Sequence, residues 1–155
     1  MLNRRTALIA GAAWPLAARA HHGWSGFDQQ RPIYLAGTAA KVNWRNPHAE
    51  LVLDLPADLS LPADLAARRL PAQSAAVDGA ALLARAVLPA RKDRQWQVEL
   101  APLTRLAAWN VPELQSGQRL ELLGFTFEGE RGDAVLRAEY LFLGGQAYGM
   151  RSSPA

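Results

Sequence analysis

From Ile33 onward the chain alternates between two sets of positions. Ala36, Thr38, Ala40, Val42 and Trp44 fall in one set and Lys41 and Asn43 in the other, the two-residue period of a strand, with Gly37 marking a bend or bulge. Asn46-Pro47 predicts a turn, because proline fixes its own φ and pushes the preceding residue away from helix. Leu51, Leu53 and Leu55 then share one face of a second strand, and Trp96, Val98 and Leu100 one face of a third. Pro102 opens a helix of about two turns, in which Leu103, Leu106 and Ala107 follow the i, i+3, i+4 rule and which closes near Asn110. Strand texture returns over 119–123, kinks at Gly124 and continues through Phe125 and Phe127 to a turn, Gly129-Glu130-Arg131-Gly132-Asp133. Beyond that turn, Leu136, Ala138, Tyr140 and Phe142 line one face of a last strand.

Residues 56–94 interrupt this pattern with Pro56, Pro62, Pro71 and Pro89 in a region rich in Ala, Leu and Arg. Two readings fit: a pair of short helices, one begun by Ser60 and Pro62 and one capped by Asp78, or a loop without fixed structure. Either way it is an Ala/Pro-rich insertion between strands two and three, expected to be dispensable for folding. Residues 21–32 read as an extended arm, 33–143 as the β domain, and 144–155, rich in Gly, Ser and Pro, as a flexible tail. Strand, strand, insertion, strand, short helix, strand, strand is the element order of the OB-fold. The expected fold is therefore all-β with a short helix, a five-stranded OB-like barrel with the helix plugging one end.

The N-terminal residues change what the charge means. Met1-Leu2-Asn3-Arg4-Arg5-Thr6, an uncharged Ala-rich run over 7–17 and Ala18-Arg19-Ala20 are the three parts of a cleavable signal, residues 1–20. The paired arginines fit twin-arginine export, although Asn3 and Ala7 depart from its usual motif, and an ordinary Sec signal also fits. The expected location is the periplasm, with no transmembrane segment in the mature protein. The chain carries 17 basic and 14 acidic side chains, and three of the basic ones, Arg4, Arg5 and Arg19, lie in the leader. Cleavage after Ala20 of the 155-residue chain leaves 135 residues with 14 charges of each sign. That balance argues against nucleic acid as a partner, since such binding draws on an excess of basic surface. With no cysteine, no disulfide staples the domain.

Candidate chemistry gathers at the three histidines. Cleavage after Ala20 makes His21 the first residue, so its α-amino group and imidazole can close a chelate ring on one metal ion, with His22 or His48 adding a third nitrogen. Such a site suits Cu(II), Ni(II) or Zn(II), copper being favoured by intrinsic affinity. Its amine and imidazoles must be deprotonated to bind, so it weakens as pH falls. The competing reading makes His21 and His22 polar residues of an arm and His48 part of its turn.

His21-His22 and Trp44-Arg45-Asn46-Pro47-His48, with Gly37-Thr38 upstream, resemble a family of small exported bacterial proteins, domain of unknown function 6152. The resemblance covers the first third of the mature chain well and the last strands loosely, and 56–94 depart from it. It implies no activity, only that the two histidine elements identify the family.

No catalytic residue is recognisable. Ser25 lies near histidine without the strand-turn-helix setting of a nucleophile elbow, and Asp54, Glu99 and Glu121 are expected on solvated strand faces. Two function classes remain. One is a metal-binding protein using His21, His22 and His48; the other is a non-catalytic module binding a ligand or a periplasmic protein partner on its barrel face, with Trp44 and Asn46 as ligand-side residues.

Overall fold

The structure, a computed structural model, describes residues 23–155. The leader, His21 and His22 lie outside the described residues. Six strands, β1 (Ile33–Asn43), β2 (Glu50–Asp54), β3 (Gln95–Glu99), β4 (Arg119–Phe125), β5 (Val135–Leu143) and β6 (Gln146–Gly149), run in the order β3-β2-β1-β4-β5-β6. A parallel pairing of β3 with β5 closes the first five into a barrel. The helix α2 (Leu103–Ala108) lies between β3 and β4 and buries Leu106 in the barrel core. Asn110, at φ 54, ends its last turn in the left-handed conformation that Asn tolerates better than most residues. This is the strand order of the OB-fold, as the element sequence predicts.

Closure depends on β1, which pairs with β4 over its first half and with β2 over its second. A Cβ at Gly37 would stand 2.1 Å from the Asp54 carbonyl oxygen, so only glycine permits this crossing of backbones. Past it, the register with β2 shifts between Ala39 and Lys41. The shift moves the inward face from Ile33, Leu35 and Ala39 to Val42 and Trp44. The set Ala36 to Trp44, alternating without a break in sequence, is therefore split between the two sides of the wall.

A second bulge does the same to β5. Leu123 faces Tyr140 and Gly124 faces Ala138, leaving Glu139 as the extra residue. Leu136 and Ala138 enter the barrel core, whereas Tyr140 and Phe142 join a second core on the outside. The single face expected for Leu136, Ala138, Tyr140 and Phe142 is thus two.

That second core speaks against an insertion that is dispensable or without fixed structure, and favours the reading as short helices. Leu65, Leu82, Leu83 and Ala86 pack with Phe27, Tyr34, Leu123, Phe125 and Phe142 on the outer face of β1, β4 and β5. Two short helical pieces carry them, a 3-10 turn Leu65–Ala67 and the helix α1 (Gly79–Arg85), whose first turn is capped by Asp78 accepting from the Ala81 amide at 2.9 Å. Val87 then bridges to β1, accepting from the Tyr34 amide at 2.9 Å. The insertion is a wall of the domain.

The C-terminal segment also departs from expectation. Gly144 and Gly145, at φ 57 and 80, form the two-residue turn of a β5–β6 hairpin. Met150 is buried, the Trp109 indole donates to the Ser152 carbonyl at 2.7 Å, and Gln73 bridges Pro154. Its partners lie far away in sequence, so local composition gives no sign of them.

Candidate functional site

The loop from β1 to β2 carries the Trp44-Arg45-Asn46-Pro47-His48 segment, and its Asn46-Pro47 peptide is cis. Arg45, Asn46, Pro47 and His48 edge a groove of about 870 Å³. The groove continues over Lys41 and Asn43 of β1, Glu50 and Val52 of β2, and Gln97 of β3. Asn46 and His48 therefore share one concave surface. Trp44 does not line it; the ring packs against the barrel core, because the β1 bulge has turned it inward.

Strand register extends this surface sideways. Asn43 faces Glu50, Glu50 faces Glu99 and Glu99 faces Arg137, a row across four strands whose side chains point outward. Glu99, expected in solvent, is only 8% exposed and accepts from Arg137 Nη1 at 2.9 Å. Arg137 in turn lies under the Trp24 ring, 5.0 Å from its centroid, and Arg151 lies 3.9 Å from the same ring. Trp24 also meets Phe125 edge-on at 6.3 Å. The arm is thus fixed to the barrel at Trp24, at the end of the row that begins beside His48.

The cations around Trp24 are held by two buried carboxylates. Glu99 takes Arg137; Glu139, fully buried, accepts from Arg151 Nε at 2.8 Å and from Gln73 Nε2 at 3.0 Å. Arg151 also donates to Gln29 Oε1 at 2.9 Å, tying the arm a second time. Arg105 of α2 donates to the Met150 carbonyl at 3.0 Å, and burial followed by the nearby Arg137 charge lowers its pKa.

Glu121, also expected in solvent, accepts from the Tyr34 hydroxyl at 2.8 Å and from Arg68 of the insertion. Burial, then this bond to Glu121, raises the Tyr34 pKa and keeps the hydroxyl protonated. Asp54 stays exposed and accepts from Gln95 Nε2 at 2.8 Å.

Of the three histidines, His48 alone falls among the described residues, where no group of three or more His, Cys, Asp or Glu side chains is set to hold a metal. Trp24, Arg137 and Glu139 escaped notice in the sequence. Their signal is a bulky aromatic in a Gly-rich arm, and charges interleaved in a strand whose two apolar sets both need cover.

A closed five-stranded barrel with a polar groove over β1, β2 and β3 defines an OB-type β-barrel protein. Residues 8–60 match the model of a family of unknown function (DUF6152), which bears out the resemblance carried by the histidine pair and the segment 44–48. The matched stretch takes in β1, the loop and β2 but stops short of the insertion's helices and of β3 to β6. No curated protein and no solved structure matches the chain. Among the described residues no helix is long and apolar enough to cross a membrane.

Proposed function

We propose that this is an exported periplasmic protein that holds a transition metal ion, copper favoured and zinc or nickel next, between its processed N-terminus and His48. The observation that carries the reading is the anchorage of Trp24 over Arg137, at one end of the register row whose Glu50 lies two residues from His48. Arg137 and Glu50 are two strand spacings apart, about 10 Å, and the two residues from Trp24 back to His22 reach about 7 Å. The arm is thus anchored at the end of the row that leads to His48, which is what supports an ion shared between the two. An α-amino group with imidazoles is a nitrogen donor set that copper prefers among the divalent first-row metals. Titration of Cu(II) into the processed protein should reach one equivalent, and His48→Ala should weaken binding about tenfold or more. Binding by His48→Ala equal to wild type would remove His48 from the site.

The groove of about 870 Å³ favours a second reading, a non-catalytic module whose ligand or protein partner lies over β1, β2 and β3. Asn46, Asn43, Gln97 and Lys41 are then the contacting side chains. Metal-free protein that binds no copper but whose groove residues shift on adding periplasmic extract would favour it.

A further inference from the structure

A second cavity, of about 620 Å³, opens between the insertion and the barrel, away from the histidine loop. Its inner wall is electrically settled: Arg68 is held by Glu121 and by Asp64 at 3.1 Å, and its guanidinium covers the Phe142 ring at 5.0 Å. Tyr34 donates its hydroxyl to the same Glu121. Two carboxylates thus share one arginine and one hydroxyl within the wall.

The other two cations of the cavity, Arg69 and Arg119, are exposed, and the side chain of neither has a hydrogen bond or ion pair among the described residues. They come from opposite sides, Arg69 from the insertion and Arg119 from the start of β4. With three arginines against two carboxylates, the lining has an excess positive charge at its open rim. Ala36, Leu143 and Ala147, each partly exposed, give it an apolar floor, and the Gly144-Gly145 turn puts no side chain across the mouth. A cavity of this size suits a small molecule.

We infer that this cavity binds a small organic carboxylate, its apolar body on Ala36, Leu143 and Ala147 and its carboxylate between Arg69 and Arg119. Guanidinium groups match a carboxylate by paired N–H donors, whereas a cationic ligand would meet the same excess charge with repulsion. The metal reading plays no part in this assignment, since neither His48 nor the arm lines the cavity.

Calorimetric titration with three probes tests it: phenylacetate, 2-phenylethylamine with the same ring and opposite charge, and acetate with the charge and no ring. Phenylacetate should bind one saturable site at least tenfold more tightly than either of the others. The double variant Arg69→Ala/Arg119→Ala should lose at least tenfold of that affinity, while Arg85→Ala, an exposed change on α1, should leave it unaltered. Both altered side chains are exposed, so the fold is retained, and an unchanged melting temperature confirms it. Equal binding of the amine, unaltered binding by the double variant, or no saturable binding of phenylacetate would overturn the assignment.

Discussion

The carboxylate of Glu139 lies wholly buried, 2.7 Å from the guanidinium of Arg151, and joins the β5 bulge to the C-terminal segment. Because Glu139 is the extra residue of that bulge, the same backbone irregularity that re-aims β5 also turns a charge toward the insertion and the arm. Arg151→Ala leaves this carboxylate with Gln73 alone, and breaking a buried pair by removing one partner is costly. The expected loss is about 3 kcal/mol in urea unfolding. Glu139→Gln/Arg151→Met, which removes both charges, should cost markedly less. A single and a double variant of equal stability would show that the pair contributes nothing beyond side-chain packing.

Gly37 sets the second prediction. An added methyl at this position meets the Asp54 carbonyl at 2.1 Å, backbone that cannot step aside without opening the β1–β2 pairing. Gly37→Ala should cost about 3 kcal/mol or more, in the range of strained core changes. Gly117, at φ 90 with nothing near its missing Cβ, is the comparison. Gly117→Ala should cost less, about 1 to 2 kcal/mol for its left-handed backbone alone, and the reverse order would refute the close-approach argument.

The insertion yields the third. Replacing 57–93 by a few Gly and Ser residues strips the cover from Tyr34, Leu123, Phe125 and Phe142 and removes the Val87 bridge to β1. Exposed apolar patches of this kind favour association. The shortened protein should bind a hydrophobic dye and lose its cooperative thermal transition. A cooperative β-type transition in that variant would restore the insertion to a dispensable role.

Much of this arrangement is legible in the sequence and some of it is not, for reasons of geometry. Strand content, the helix from Pro102 and the barrel order follow from local periodicity, which is what Trp96, Val98 and Leu100 express. The faces of β1 and β5 do not, because one extra residue at a bulge inverts every side chain beyond it while the sequence alternation runs on unbroken. Glu99 and Glu121 look solvated on the same grounds, since a strand pattern cannot show that an insertion and an arm will cover the outer face. In the histidine segment, Asn46 and His48 are legible as surface residues, but the inward turn of Trp44 depends on the β1 bulge.

Acid stability gives the fourth prediction. Burial raises the pKa of Glu130, but bonds from Arg31 and from the Ala90 and Arg91 amides outweigh it and hold the pKa below the ordinary 4.5. A carboxylate with a depressed folded-state pKa contributes stability above its unfolded pKa, and that contribution is lost as pH falls through the folded one. Unfolding free energy should therefore drop below about pH 4.5. Glu130→Gln should be less stable than wild type at pH 7, with the gap closing toward pH 3. A gap independent of pH would mean that the charge of Glu130 is not what stabilises the 90–91 loop.

The chelate at the N-terminus is most directly tested by copper titration of two forms that differ by one acetyl group: the protein beginning at His21, its first residue verified by intact mass on material from the native host, and the same protein with its terminal amine acetylated. Acetylation turns the His21 amine into an amide and removes one of the two nitrogens of the ring. The native form should bind one Cu(II) and release it as pH falls through the histidine range of about 6 to 7, and the acetylated form should bind at least about a hundredfold more weakly, a difference of about 2.8 kcal/mol. Equal binding by the two forms, or no binding by either, would contradict the site.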